Sequence, residues 1–294
     1  MADDQLCLLT VHAHPDDEAS KGAGTVARAH HEGIKTVLVC CTGGEAGDIL
    51  NPAMESEDVR ARLHEVRMEE LAESVRIIGY DELVLLGYRD SGMPDTPENA
   101  DPRSFAQAPL DEAVGRLVVA IRTHRPQVIV TYDEEQSRYP HPDHLRVHEI
   151  SVLAFDAAGD PDRYPGLGDP WQPLKLYYTA WSWRRSLAMH DRMLELGIES
   201  PMSEERLGWM RDASKEDRTT TVVPIDGFTN VSRQALLAHR TQVDPTSGFW
   251  FGLPPDEQER IHPFEDYVLA RSLVETSIPE DDLFAGIRAT ASTE

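Results

Sequence analysis

Residues 6–18, LCLLTVHAHPDDE, join a short continuous apolar run to a cluster of imidazole and carboxylate side chains. A continuous apolar run of this length predicts a strand that is covered on both faces, as in parallel sheets. Between this run and three others lie amphipathic segments, at 19–31, 57–78 and 109–124. The other apolar runs are 36–41, 83–86 and 128–132. This alternation predicts an α/β fold with a Rossmann-like, doubly wound and mostly parallel sheet.

The pattern loosens after residue 142, where apolar runs are shorter and loops are richer in Gly, Pro and Asp. We expect strands at 174–178 and 219–223 and helices near 143–158, 183–196, 229–242 and 264–275. We therefore interpret residues 1–180 as a catalytic core. Residues 181–294 are interpreted as a C-terminal elaboration that packs on this core and completes the substrate pocket.

Composition excludes several classes of protein. The chain has 294 residues, with 52 Asp and Glu against 28 Lys and Arg, for a formal net charge of −24. Because nucleic-acid binding depends on clustered basic side chains, we expect no nucleic-acid partner. No stretch approaches the roughly 20 apolar residues of a membrane helix, and the acidic start does not suit a signal peptide. We expect a cytoplasmic protein without a membrane partner, and the sequence leaves a homo-oligomer open.

The three cysteines lie inside or beside apolar runs. Cys7, Cys40 and Cys41 are odd in number, and two of them are adjacent. This arrangement predicts buried free thiols and not a disulfide framework.

Two of the four loops that follow predicted strands have the same unusual composition. In open α/β sheets ligands bind at the carboxyl ends of strands. The loops at 12–18 and 139–144 both combine His and Asp with Pro, whereas those at 42–48 and 87–92 are rich in Gly. A single such His is more commonly an ordinary hydrogen-bonded side chain. Two clusters that converge would be costly without a cation, which indicates a divalent metal such as Zn²⁺ or Fe²⁺.

These same loops carry a family resemblance. His-Pro-Asp-Asp-Glu at 14–18 and His-Pro-Asp-His at 141–144 resemble the two signature motifs of the PIG-L/LmbE-like zinc deacetylases. A Thr-x-Gly-Glu-x-Gly loop at 42–47 lies between them. The resemblance implies an LmbE-like fold and a zinc-dependent hydrolase that acts on a linear amide C–N bond.

The resemblance also implies the metal ligands, which are His14, Asp17 and His144. Spacing alone would allow His148, one helical turn after His144, to be a further ligand. We interpret His148 as a structural side chain or as a support for the ligands.

Catalytic roles follow from the resemblance as well. Asp16 would be the general base, since a carboxylate beside a metal can deprotonate water. His141 would stabilise the oxyanion or protonate the leaving amine, and Asp143 would orient or tune His141. Tyr139 would donate a further hydrogen bond to the oxyanion.

Four residues would contact the substrate by resemblance, namely Lys21, Asp48, Arg67 and Asp90. Two of them have ordinary alternatives. Lys21 could be a solvated surface lysine, and Arg67 could form an exposed ion pair with Glu70 or Glu73. Relatives commonly have Glu at the position of Asp48, so the side chain here is shorter by one methylene group.

Within the family, the sequence is most similar to amidases that act on a small-molecule thiol–sugar conjugate. The alternative activity is deacetylation of N-acetylglucosaminyl-inositol, and a remote alternative is a metal-binding protein without activity. Aromatic residues near Trp181 and at 249–251 could accept varied apolar substituents of such conjugates, although aromatic clusters more commonly belong to a core.

Overall fold

The computed structural model describes residues 5–135, 140–181, 183–214 and 217–288. In this part of the chain seven strands form one sheet in the order β3-β2-β1-β4-β5-β7-β6. The first five strands of this order are parallel, and β7 is antiparallel to both β5 and β6. The strands are β1 (Cys7–His12), β2 (Lys35–Thr42), β3 (Glu82–Tyr88), β4 (Val128–Thr131), β5 (Lys175–Ala180), β6 (Thr221–Pro224) and β7 (Phe264–Ser272). The predicted fold class is confirmed.

Helices cover both faces of this sheet. They are α1 (Asp17–Ser20), α2 (Ala23–His31), α3 (Glu57–Ala61), α4 (Leu63–Ile78), α5 (Pro97–Ala100), α6 (Leu110–His124), α7 (Pro142–Ala158), α8 (Trp183–Glu195), α9 (Glu204–Ala213), α10 (Thr229–Ala238), α11 (Gly248–Phe251) and α12 (Pro255–Ile261). Among the described residues, no helix has both the length and the apolar composition needed to cross a membrane.

The continuous apolar runs are explained by two hydrophobic clusters, one on each face. Leu9 and Val11 belong to a cluster with α6 and α7. Leu8 and Leu38 belong to the other cluster, with α2, α4 and α10. Because successive side chains of a strand point to opposite faces, a strand buried on both faces cannot alternate apolar with polar residues.

The cysteines are buried and free, as predicted. Burial raises the pKa of Cys7 to about 12 and the pKa values of Cys40 and Cys41 well above the usual range. Thiolates are therefore disfavoured at neutral pH.

Some element predictions were wrong in type or extent. Residues 264–275 do not form a helix, because β7 occupies Phe264–Ser272 and pairs with strands on both sides. The predicted helix 57–78 is divided into α3 and α4 at Arg62. The segment 19–31 is interrupted at Gly22, whose φ of 102° lies in the left-handed region.

A buried ion pair joins β5 to the segment after β7. Lys175 and Glu280 have fully buried side chains, and Nζ lies 2.5 Å from Oε1. The hydroxyls of Tyr177 and Thr221 donate to the other carboxylate oxygen at 2.6 and 3.0 Å. Glu280 thus connects β5, β6 and the C-terminal segment.

Glu280→Gln is expected to lower the free energy of unfolding at neutral pH by about 3–5 kcal/mol, since it leaves Lys175 charged and unpaired. Burial alone would raise the pKa of Glu280, but hydrogen bonds from Lys175, Thr276 and Tyr177 outweigh it and lower the pKa. The stabilising effect should therefore be complete above the ordinary carboxyl pKa and disappear as pH falls through the lowered value.

Urea unfolding of the wild type and the variant across acidic to neutral pH measures this difference. Glu73→Gln is the matched control, because Glu73 pairs with Arg76 on an exposed surface. An equal effect of the two substitutions at neutral pH would contradict the assignment.

Candidate active site

The two His- and Asp-rich motifs meet because their strands are neighbours. β1 pairs with β4 in the centre of the sheet, and each motif follows the carboxyl end of one of these strands. The second motif begins α7, with His141 as its N-cap and Pro142 as its first residue. Proline suits this position because the first turn of a helix needs no N–H donor. The fold therefore brings the motifs to one edge of the sheet.

His14, Asp17 and His144 present their ligand atoms to one another. Asp17 Oδ2 lies 3.4 Å from His14 Nδ1 and 3.4 Å from His144 Nε2. All three residues are buried, and their ligand atoms lie within 4.8 Å of one another. Two imidazoles and a carboxylate leave coordination positions open for water and substrate.

The charges that surround His14 indicate whether these three side chains could hold a cation. His14 Nε2 lies 3.2 Å from Asp143 Oδ2. If the neutral His14 ring carries its proton on Nε2 and donates it to Asp143, the lone pair of Nδ1 points toward the Asp17 carboxylate. Burial alone would lower the pKa of His14, but Asp143, Asp17 and Asp90 raise it well above the usual range. The negative surroundings that favour a proton at this point also favour a divalent ion, and we conclude that the donor set fits one.

A second group of possible ligands shares His14. It consists of His14, Asp90, His141 and Asp143. The Asp90 carboxylate already accepts from the backbone N–H groups of Gly92 and Ala46 at 2.8 and 3.3 Å. Asp143 accepts from the N–H and hydroxyl of Ser91. These carboxylates are better suited to orienting His14 than to binding an ion.

Asp16 has an unusual backbone conformation, with φ at 114°. A non-glycine residue in this region is strained and needs support from its surroundings. Its N–H donates to Glu18 Oε2 at 2.9 Å, and its Oδ2 accepts from Arg67 Nη2 at 3.1 Å. Burial raises the pKa of Asp16. The carboxylate is thereby held in place, and Asp16 belongs to neither group of possible metal ligands.

Arg67 is a buried support of the loops around Asp16. Its side chain is 3% exposed, and its guanidinium donates to the carbonyl oxygens of Gly44 and Pro15. A Cβ on Gly44 would lie 2.2 Å from Arg67 Nη1, which explains the glycine. The alternative of an exposed ion pair with Glu70 or Glu73 is wrong.

Glu18 links the first motif to the C-terminal part of the chain. Its Oε1 lies 2.6 Å from His239 Nε2 and also accepts from the Ser74 hydroxyl, and both Glu18 and His239 are fully buried. Burial acts to lower the pKa of His239, but Glu18 outweighs it and raises the pKa. Neither side chain was given a role from the sequence. Glu18 belongs to the motif that was quoted, whereas no local pattern marks His239.

His141 is held as a hydrogen-bond donor. Its Nδ1 accepts from the Asp143 N–H at 3.2 Å, so the neutral ring has its proton on Nε2. Burial lowers the pKa of His141 to about 4, with a further contribution from His14. The Asp143 carboxylate contacts His14 and Ser91. Asp143 contacts His141 through its backbone N–H and not through its carboxylate.

Four further residues were singled out from the sequence, and the structure describes three of them. Lys21 Nζ contacts Asp17 Oδ1, and the Asp48 backbone carbonyl accepts from Gln242 at 3.0 Å. His148 Nδ1 lies 3.0 Å from the Tyr132 carbonyl oxygen, which agrees with a structural role. Tyr139 lies outside the described residues.

One large cavity opens on this site, with a volume of about 1130 Å³. On one side of the two motifs it is lined by residues that follow β2 and β3, including Asp48 and Asp90. On the other side it is lined by residues that follow β5 and by an aromatic cluster. In that cluster the rings of Trp181 and Phe249 are stacked with centroids 6.1 Å apart.

The fold and this site define a class of protein. An α/β sheet that brings two imidazoles and a carboxylate together, with a second carboxylate at the adjacent position of the chain, is typical of metal-dependent hydrolases.

Comparison with known proteins identifies the family. The family model for the PIG-L GlcNAc-PI de-N-acetylases matches residues 9–155. The mycothiol S-conjugate amidase of Streptomyces coelicolor is 46% identical, over 98% of this chain and 99% of its own. A 1D-myo-inositol 2-acetamido-2-deoxy-alpha-D-glucopyranoside deacetylase of Frankia alni is 40% identical, over 94% of this chain and 99% of its own. The chain belongs to the PIG-L family, and the prediction of an enzyme that acts on amide C–N bonds is confirmed.

A solved structure agrees on the fold. The N,N'-diacetylchitobiose deacetylase of Pyrococcus horikoshii aligns with a TM-score of 0.62 at 17% identity. The alignment covers 91% of this chain and 84% of that one. Identity this low supports the architecture alone.

His144→Ala is expected to reduce bound metal to a small fraction of one ion per chain, because it removes one of three donors. His148→Ala is the matched control, since His148 lies one turn further along α7 and contacts a backbone carbonyl. Metal analysis of the purified variants measures the difference. Equal metal content in the two variants would show that His144 is not a ligand.

Asp143→Asn is expected to weaken metal binding about 10–100-fold, as is typical when the partner of a ligating histidine is lost. Competition with a chromophoric chelator measures the affinity. An unchanged affinity would show that Asp143 does not orient His14.

Proposed function

We propose that the chain is a zinc-dependent amidase of mycothiol S-conjugates that acts in thiol-dependent detoxification. It would hydrolyse the amide between the cysteinyl carbonyl and the glucosamine nitrogen. The products would be an N-acetylcysteine S-conjugate and glucosaminyl-inositol. The similarity to the Streptomyces coelicolor amidase, which extends over almost the whole chain, supports this substrate class.

The observation that carries the proposal is the size and lining of the cavity. The cavity has a volume of about 1130 Å³ and extends from the residues that follow β2 and β3, past the two motifs, to the residues that follow β5. The space on the far side of the motifs is lined by Trp181, Phe249 and Trp250. An acetyl group would be too short to contact this aromatic cluster, whereas an S-substituted cysteinyl group would contact it.

The metal would be held by His14, Asp17 and His144. When bound, a Zn²⁺ or Fe²⁺ ion supplies Lewis acidity toward the amide carbonyl and toward water. Asp143 fixes the ring orientation of His14, and Asp17 is kept ionised because Lys21 and His144 lower its pKa against the effect of burial.

The chain's own residues would then move the protons. Asp16 would accept a proton from the attacking water, and Arg67 keeps its carboxylate in place. His141 would donate from Nε2 to the carbonyl oxygen as that oxygen gains negative charge. The proton taken by Asp16 would pass to the glucosamine nitrogen as the C–N bond breaks, so that a carboxylic acid and an amine result.

Lys21 and the residues that follow β2 and β3 would bind the rest of the substrate. Asp48 and Asp90 line the cavity on the side opposite the aromatic cluster, where the hydroxyl-rich sugar would lie. Lys21 lies between the sides, with Nζ 5.6 Å from the centre of the Tyr132 ring. Tyr139 is proposed as an additional donor to the oxyanion.

The second candidate is deacetylation of N-acetylglucosaminyl-inositol. The 40% identity to the Frankia alni deacetylase favours it, because that similarity also covers nearly the whole chain. The two reactions break the same kind of bond at the same nitrogen and differ in the acyl group.

The test compares kcat/KM for a bimane conjugate of mycothiol with that for N-acetylglucosaminyl-inositol on the metal-loaded protein. The amidase proposal predicts the larger kcat/KM for the conjugate. A larger value for the acetylated sugar would assign the chain to the deacetylase reaction.

Asp16→Asn is expected to lower kcat by about 10²–10⁴-fold, the usual contribution of a general base. Bound metal should remain close to that of the wild type, because Asp16 is not a ligand. Steady-state kinetics and metal analysis on the same sample measure both. Retained turnover with lost metal would reverse the roles of Asp16 and Asp17.

A further inference from the structure

Arg185 is a cavity-lining arginine in the first turn of α8. It lies beside the aromatic cluster, with Cζ 5.8 Å from the centre of the Trp181 ring. The residue is half-buried, and burial lowers the pKa of its guanidinium, although Glu265 and Asp266 act in the opposite direction. A charge in such a place is costly unless something compensates it.

Within the described ranges no side chain or backbone group forms a hydrogen bond or ion pair with Arg185. Its neighbour Arg184 lines the same cavity but is paired with Asp217 at 3.3 Å. The nearby Glu265 carboxylate is occupied, because it accepts from the N–H groups of Gly24 and Thr25 at the start of α2. Arg185 therefore lines the cavity without a direct hydrogen bond or ion pair to a described residue, and Glu265 and Asp266 act on its charge only through longer-range attraction.

His262 lies on the same side of the cavity, where its Nε2 is 3.9 Å from Asp266 Oδ2, beyond hydrogen-bond distance. Its side chain is 4% exposed, and neither ring nitrogen has a hydrogen-bond partner among the described residues. Burial lowers its pKa to about 4, with Arg185 as the next cause. A neutral imidazole keeps one N–H, which is costly to bury without an acceptor.

The sheet order shows which part of a substrate this region would receive. β5 and β7 lie on one side of the central β1–β4 pair, and β2 and β3 lie on the other. Arg185 and His262 follow or precede the strands of the first side. Under the proposed function, on which this step rests, the sugar lies toward β2 and β3. The acyl group with its S-substituent lies toward β5 and β7.

We propose that Arg185 and His262 form an anion-binding subsite for an aromatic S-substituent that carries a carboxylate or sulfonate group. The guanidinium and the imidazole N–H donate to the anion, and the rings of Trp181 and Phe249 contact the aromatic part. The enzyme thereby prefers anionic aromatic conjugates over neutral ones of the same shape.

The first test uses two mycothiol conjugates of matched shape, S-(4-sulfobenzyl) and S-(4-methylsulfonylbenzyl). Arg185→Met should lower kcat/KM for the sulfonate conjugate by about 10–100-fold, the range for hydrogen bonds to charged groups. The value for the neutral sulfone should change by less than about threefold. Arg184→Met, the matched control, should leave both values close to those of the wild type.

A second measurement is independent of the amidase reaction. Benzenesulfonate and methyl phenyl sulfone are titrated into the metal-loaded wild type and into Arg185→Met, with tryptophan fluorescence as the signal. The subsite predicts that the wild type binds the sulfonate more tightly than the sulfone and that Arg185→Met removes this preference. His262→Phe should weaken it.

The two measurements separate the two proposals. If neither conjugate is cleaved but benzenesulfonate binds through Arg185, the amidase proposal fails and the anion subsite stands. If the conjugates are cleaved but Arg185→Met affects both equally, the subsite is overturned and the amidase proposal stands. Equal binding of the sulfonate by the wild type and by Arg185→Met would also overturn the subsite.

Discussion

The contact of one buried carboxylate with two imidazoles organises the active site. Asp17 Oδ2 lies at 3.4 Å from both His14 and His144, and these residues come from the segments that follow two adjacent central strands. Asp90 and Asp143 add negative charge around His14. Such a buried group is stable only with a cation or bound protons, and its open side faces the large cavity. The proposed metal site and the proposed position of the reaction both rest on this contact.

The position of Asp16, the proposed general base, depends on contacts that extend well beyond its own loop. Asp16 is kept in a left-handed conformation by Glu18 and Arg67, and Glu18 in turn contacts His239 at the end of α10. The second half of the chain therefore contributes to the site in two ways. Its His239 contacts Glu18, which accepts from the Asp16 N–H, and it supplies the aromatic cluster and Arg185 on the β5 side of the cavity.

Sequence alone predicted the parts of the molecule that local pattern determines. The parallel strands were evident because strands buried on both faces are continuously apolar, and the motif residues were evident because ligands collect at strand ends. β7 was predicted as a helix, since its strand character comes from pairing with β5 and β6. Arg67 was assigned to the substrate or to the surface, and its bonds to Pro15, Asp16 and Gly44 depend on tertiary contacts. No local sequence pattern marks His239 or Arg185, because their surroundings also depend on tertiary contacts.

The most direct test of the metal site is a crystal structure of the zinc-loaded protein with anomalous data collected on both sides of the zinc absorption edge. The account predicts a single anomalous peak between His14 Nδ1, Asp17 Oδ2 and His144 Nε2. The Asp16 carboxylate should lie beside this peak but outside the coordination sphere, with Arg67 still bound to it. A peak among Asp90, His141 and Asp143, or a peak coordinated by Asp16 in place of Asp17, would contradict the account.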